Sequence, residues 1–287
     1  MGETRWAIIW RRFKRDRMAL FGGIIVFFLI FMSLFADILA PFDPIYQYPD
    51  GLGDIGQPLP ANSKYLLGTD RYGRDVLSRL IFGTRVSLTV GILANGIAMI
   101  IGVLVGSIAG FMGGWVQTLL MRLTDIMLSI PMLLLAMVLV AIWRPNLLVV
   151  VIVIAISFWT ALARVIYGEV LRIKELTFIE AARALGGQPF YILFNHILPQ
   201  LVGIIIVYLT LGVATTVMLE ASLSYLGLGV PAPAPSWGGM VAEGQTYFRT
   251  APWLVIWPGL TVMMTVLGFN MLGDGLRDAL DAKTMRL

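Results

Sequence analysis

Six long apolar runs alternate with short polar ones along this chain, and the alternation sets the reading of everything else. The runs fall at about 18–40, 86–111, 124–143, 146–167, 200–220 and 251–272. Each is near the roughly 20 residues that a helix needs to cross a bilayer, so the pattern predicts six membrane spans. Ahead of the first, residues 5–17 set Trp6, Ile9, Trp10 and Phe13 at helical spacing, with Arg5, Arg11, Arg12, Lys14, Arg15 and Arg17 between them. That is the pattern of an amphipathic helix lying on a membrane surface. The domain layout expected is therefore an interfacial helix at 1–17, a first span at 18–40, and an extramembrane loop at 41–85. A core of spans two to six at 86–272 and a tail at 273–287 complete it. The first span is too long, and lacks the small-residue cleavage site, for a removed signal peptide.

One polar island interrupts the core, at 177–199 within a connecting loop at 168–199. Thr177 followed by Glu180 has the spacing of a capping box. Ile179, Ala181, Ala182, Ala184 and Leu185 then carry about two helical turns, and Gly186-Gly187 ends them, because glycine alone enters the left-handed region cheaply. Pro189 suits the first turn of a second short helix, and Pro199 is expected to break or bend it. The island reads as a short helical knob with a methyl-lined face, shaped to dock on something.

An even number of spans puts both termini on one side. Placing Arg5–Arg17, Arg122, Arg164, Arg172, Lys174, Arg183, Arg277, Lys283 and Arg286 on that side gathers most of the cations there. It leaves Lys64, Arg71, Arg74, Arg79, Arg85, Arg144 and Arg249 outside or near the outer interface. By the positive-inside rule the termini and the island are cytoplasmic. Trp143, Trp237, Trp253 and Trp257 are expected near outer interfaces. Gly102, Gly106 and Gly110 have the small-xxx-small spacing that lets helices pack closely in lipid, and Pro131 is expected to bend the third span.

Composition narrows the chemistry. Hydrophobic residues make up 58% of the chain and charged ones 13%, about half the charged share of a soluble domain, so lipid is the solvent for most of it. The net charge of +4 comes from one basic terminus, which argues against a nucleic-acid surface. With no cysteine, disulfides, thiolate catalysis and Cys-based metal sites are excluded. His196 is the only histidine, so His-based metal sites lack ligands and a serine–histidine protease lacks its base. Gly51, Gly53 and Gly56 spell G-x-G-x-x-G, but no strand precedes them and Pro58 and Pro60 follow, so they mark a turn and not a nucleotide site. No Walker A sequence is present, and the chain carries no P-loop ATPase of its own. The charges nearest the lipid are Asp37, Asp125, Arg164 and Glu220, all near span ends. Arg122 and Asp125 are spaced to pair on one helix face, and Glu220 is a candidate for a gate or for satisfying the outer turn. Mid-membrane carboxylate pairs of the kind a proton-coupled carrier uses are missing, which disfavours a secondary carrier.

Glu180-Ala181-Ala182, Gly186 and Leu198-Pro199 match the EAA loop of permease subunits of bacterial binding-protein-dependent ABC importers. The chain further resembles the C-type permeases of the dipeptide/oligopeptide/nickel group. This rests on Leu67-Gly68-Thr69-Asp70, Gly73-Arg74-Asp75-Val76-Leu77-Ser78-Arg79, Met121-Arg122-Leu123, Asp125, Leu128-Ser129 and Pro131. It rests also on Glu220 through Gly229, Pro235-Ser236-Trp237-Gly238 and Leu272 through Asp278. Two positions depart: His196 stands where the broad family more often has Ile, and Trp143-Arg144-Pro145-Asn146 replaces a small Gly-Pro turn.

The resemblance implies an all-α integral membrane protein of the type I ABC importer permease fold, with six spans and a cytoplasmic coupling-helix loop, in the bacterial inner membrane. It implies a second homologous permease, two cytoplasmic ATPases that use ATP-Mg, and an external solute-binding protein. No cofactor is expected on this chain. Glu180, Ala181, Ala182, Gly186, Leu198 and Pro199 would couple to the ATPase, and Glu220, Ser222 and Ser224 would belong to the pathway or gate. Di- and oligopeptides are the expected cargo, with nickel chelates, glutathione-like compounds and oligosaccharides left open by the same likeness.

Overall fold

Lipid offers the backbone no hydrogen-bond partners, so a spanning chain must satisfy itself by helix or closed barrel. The computed structural model describes residues 5–280, and within them the chain is helical with no β-strand beyond isolated bridges. Lys283 and Arg286, and the end of the expected tail, lie outside the described residues. The helices are α1 (Arg5–Phe13), α2 (Arg17–Leu34), α3 (Ala36–Leu39), α4 (Val76–Met112), α5 (Gly114–Ser129) and α6 (Met132–Trp143). They continue with α7 (Leu147–Lys174), α8 (Thr177–Ala184), α9 (Pro189–Ile192), α10 (Leu198–Tyr225), α11 (Trp237–Gly244) and α12 (Trp253–Leu280). Among the described residues, five spans are long and apolar enough to cross a membrane, and α5 with α6 makes a sixth only as a bent pair.

Short polar side chains start four of these helices. Asp16 accepts from the Met18 and Ala19 amides, Asp75 from Ser78, Asn146 from Val149, and Ser236 from Gly239. Each cap satisfies amides that the first turn leaves without a partner.

Packing is led by glycine. On α4, a Cβ at Gly102 would lie 2.9 Å from the Trp159 carbonyl oxygen, and one at Gly106 would lie 2.4 Å from that of Ala163. At Gly110 it would lie 2.8 Å from Val170 Cβ. The three glycines therefore form one seam against α7, the close approach that their spacing predicts. A second close crossing joins α4 to α10. There Asn95 Nδ2 donates to the Leu209 carbonyl (2.6 Å) and Thr216 Oγ1 to the Gly91 carbonyl (2.9 Å).

Several local expectations are corrected. Pro131 does more than bend the third span: α5 and α6 meet at 89° across Ile130-Pro131. The proline cannot donate to the preceding turn, and its ring disfavours a helical conformation at Ile130, which is extended (φ −94°, ψ 124°). Pro199 breaks nothing, because a π-helical turn over Leu193–Ile197 runs α9 into α10 without interruption. The wider turn accommodates a residue with no amide to give. Trp237 is fully buried and donates to the Leu80 carbonyl (3.3 Å), so it is a packing residue and not an interfacial one. In the Trp143–Asn146 turn, Arg144 takes φ 61°, a left-handed value costing a non-glycine residue about 1–2 kcal/mol.

Candidate coupling and gating sites

The bundle has polar structure at both ends. One end carries α1, the α4–α5 turn, the 175–197 connection and the close of α12; the other carries the 41–75 loop, the 144–146 turn and the 226–252 segment.

In the 175–197 connection, burial falls on isoleucines. Ile179 and Ile192 sit at 0% and 1% exposure in a cluster with Ile173, Leu193, Ile197 and Leu201, so α8 and α9 are anchored by one side each. Lys174 Nζ donates to the Gly110 carbonyl (3.1 Å), and the Arg183 guanidinium lies 5.7 Å from the Phe111 ring centre. These contacts tie the connection to the end of α4. The expected capping box is absent: Leu176 is the N-cap, Thr177 lies inside the helix, and no side chain caps α8. One residue of displacement puts the Thr177 hydroxyl past the amides it was expected to hold. The helix closes as its glycines require. Gly186 has φ +81°, its amide donates to the Arg183 carbonyl (2.9 Å), and the Gly187 amide donates to that of Ala182 (3.0 Å).

Glu180, Ala181 and Gly186 are exposed, Ala182 and Leu198 are half-buried against the local core, and Pro199 is exposed. No atom lies within 4 Å of where a Gly186 Cβ would stand, so its surroundings are open. The exposed face is more aromatic than the alanines alone suggest. Leu185 is 89% exposed, and Phe178, Phe190, Tyr191 and Phe194 are all exposed. Their spacing is irregular and they span a turn, so no helical period marked them. His196 packs edge-on against the Tyr191 ring (5.6 Å).

The opposite end keeps its polar groups inside. Asp70 accepts from Arg74 Nε (2.6 Å) and pairs with Arg79 Nε (3.4 Å). Glu243, from α11, pairs with Arg74 Nη2 (2.7 Å) and Arg79 Nη2 (3.3 Å). Arg79 also donates to the Pro44 carbonyl (3.3 Å). Two cations and two anions, drawn from positions 70–79 and 243, thus close a neutral knot in which Asp70, Arg74 and Arg79 are buried and Glu243 is a quarter exposed. Thr69 pins the loop further: its hydroxyl donates to the Gly51 carbonyl (2.6 Å), and Trp253 Nε1 donates to its carbonyl (3.3 Å). Gly51, Gly53 and Gly56 form part of a tight turn there, with the Gly53 amide donating to the Gln57 carbonyl (2.9 Å). Burial pushes the Asp75 carboxyl above the usual carboxylate range, against the hydrogen bonds from Ser78 that draw it down.

Glu220 is completely buried on α10. Ser87 Oγ on α4 donates to one carboxylate oxygen (2.9 Å) and Ser224 Oγ to the other (2.6 Å). Ser222 is half-buried and donates to its own helix at Met218 (2.8 Å). Glu220 and Ser224 are thus joined in one network between α4 and α10, and Ser222 lies outside it.

A third polar feature was misread from local spacing. Asp125 pairs with Arg164 of α7, not with Arg122 three residues before it. Both side chains of the pair are about half exposed.

The chain is similar to known proteins. The family model for the binding-protein-dependent transport system inner membrane component matches residues 102–286, and that for the N-terminal TM domain of oligopeptide transport permease C matches residues 4–58. The glutathione transport system permease protein GsiD of Pectobacterium atrosepticum is 41% identical over 98% of this chain and 92% of its own. The dipeptide transport system permease protein DppC of Alkalihalophilus pseudofirmus is 40% identical over 97% and 90%. Among solved structures, inward-facing MetNI methionine ABC transporter gives a TM-score of 0.59 at 18% identity, covering 71% of this chain and 96% of that one. That likeness concerns the fold.

Proposed function

The chain belongs to the family of binding-protein-dependent transport system inner membrane components, and on that premise we propose that it is one of two permease halves of an ATP-driven peptide importer. Its spans would form half of the route for di- or oligopeptides handed over by an external solute-binding protein. Relatives named for dipeptide and for glutathione transport support a peptide-like cargo, glutathione included. In this reading the basic end, with both termini, is cytoplasmic. A second, homologous permease completes the route, and two cytoplasmic ATPases consume ATP-Mg.

The observation that carries the reading is the exposed face of the 175–197 connection. Glu180, Ala181 and Gly186 stand open beside Leu185 and three exposed phenylalanines, while Ile179 and Ile192 hold the connection to the bundle. An anchored, short helical element with an uncovered apolar face fits a groove on a partner. Ala182, Leu198 and Pro199 would seat that element from behind. When the ATPases close on ATP, the element would move with them and turn the bundle toward the outside. At the other end we assign Glu220 and Ser224 to anchoring the outer gate and Ser222 to its edge.

The test is Gly186→Asp, which places a charge in the middle of the exposed face. The variant should insert at normal levels, lose peptide uptake and release the ATPases on purification. Normal uptake with the ATPases retained would remove the docking assignment. Cargo is read separately, by uptake of a labelled dipeptide against labelled glutathione in vesicles supplied with the binding protein.

A further inference from the structure

Two features described above fall within one helical turn of each other, and each excludes lipid on its own grounds. The Asp125–Arg164 pair joins α5 to α7, with side chains 48% and 46% exposed. Counted along the helices, Asp125 lies about 16 Å from the start of α5 and Arg164 about 15 Å from the end of α7, at 1.5 Å per residue. Charges inside a span turn toward the bundle interior or water and away from hydrocarbon, so the exposed side of this pair does not face acyl chains. The second feature is the break after Ser129, four residues on. Ser129, Ile130 and Pro131 are exposed, and Ile130 is extended. Irregular backbone at membrane depth survives only where protein buries it or water fills a cavity beside it. Gln117 Nε2, donating to the Tyr167 hydroxyl (2.7 Å), continues the same polar line between α5 and α7 toward their other ends.

We propose that this patch, from Asp125–Arg164 to the Ser129–Pro131 break, is wall of the translocation route, and that the pair receives the opposite charges of a zwitterionic solute. Asp125 is placed to take an ammonium group and Arg164 a carboxylate, the two charges that a free peptide carries at its ends. Arg164 offers the planar donor fork suited to a carboxylate. The pair satisfies itself when no solute is present, so the route holds no bare charge between transport events. This deepens the importer reading above and rests on it for the nature of the solute.

The chain contains no cysteine, so single cysteines report cleanly when labelling is read on this subunit alone. In the assembled importer in membranes, Ile126→Cys and Ser129→Cys should react with a membrane-impermeant cationic thiosulfonate, and Phe27→Cys, exposed on α2, should not. Transported dipeptide with ATP should slow the reaction at position 129 by about threefold or more. If 126 and 129 react no faster than 27, the second permease covers the patch and the proposal falls. For the solute half, the pair Asp125→Asn with Arg164→Gln should cut dipeptide uptake about tenfold or more, the loss expected for removing charge-assisted hydrogen bonds. Charge exchange, Asp125→Arg with Arg164→Asp, should return uptake to within about threefold of normal. Unchanged uptake in the neutral pair would overturn the assignment to the solute. Should the unaltered protein move no dipeptide, the importer reading fails on cargo while the labelling result still decides the wall.

Discussion

At the loop end, Asp70, Arg74, Arg79 and Glu243 are drawn inside and satisfy one another, while at the basic end Phe178, Leu185, Phe190 and Tyr191 are left in the open. The usual distribution is inverted at both. Ions are buried where the chain finishes its own structure, and apolar groups are exposed where it does not. The first end is closed on itself and owes its shape to internal pairing. The second is held by Ile179 and Ile192 on one side only, and its other side is left open. Substitutions should therefore divide cleanly: loop-end changes cost stability, and basic-end changes cost coupling.

The largest effect is expected from Arg79→Ala. It leaves Asp70 and Glu243 with one cation between them in a buried setting, which costs about 3–5 kcal/mol. Thermal unfolding of the purified complex should read this as a large fall in Tm, and an unchanged Tm would break the comparison at its stronger end. Glu220→Ala should come next, at about 1–3 kcal/mol for the Ser87 and Ser224 hydroxyls left without their acceptor. Gly186→Ala should cost about 1–2 kcal/mol locally, since alanine resists φ +81°, and should lower uptake with little change in global Tm. A loss of global stability there would mean that the basic end is a structural part of the bundle. Thr177→Ala is the finest probe. Because Thr177 caps nothing, it should change stability by less than about 0.5 kcal/mol, against about 1 kcal/mol for a true N-cap. A full cap-sized loss by hydrogen exchange of α8 would sharpen the comparison by showing a capped, preformed helix.

Hydropathy located five long apolar helices, with the third run folding as a bent pair, because lipid leaves no other way to satisfy a backbone, and the Gly102–Gly110 seam was visible because its period is the helix's own. The pairing of charge was not visible. Arg74 and Arg79 meet Glu243 across more than 160 positions of sequence, and only the folded route of the chain brings them together. Asp125 shows the same limit from the other side. Local spacing favoured Arg122, yet a neighbouring helix supplied Arg164, because packing between helices outweighs the few tenths of a kcal/mol of an i,i+3 pair. In the 175–197 connection the alanines and glycines were legible as a short helix, whereas the aromatic face was not, since Phe178, Leu185, Phe190 and Tyr191 share no period.

The glycine seam has a mechanical meaning. Along Gly102, Gly106 and Gly110 helix α4 contributes no side chain of its own to the seam, and α7 meets its backbone closely with the Trp159 and Ala163 carbonyls and the Leu162, Ile166 and Val170 side chains. Two rods joined at that range behave as one girder. Helix α4 has 37 residues, or about 55 Å at 1.5 Å per residue. Lys174 and Arg183 reach the foot of that girder, and Arg79, in its first turn, holds the knot with Asp70 and Glu243. Under the proposed docking, a push on α8 would reach the loop end as rotation of this pair of helices rather than be absorbed as local deformation.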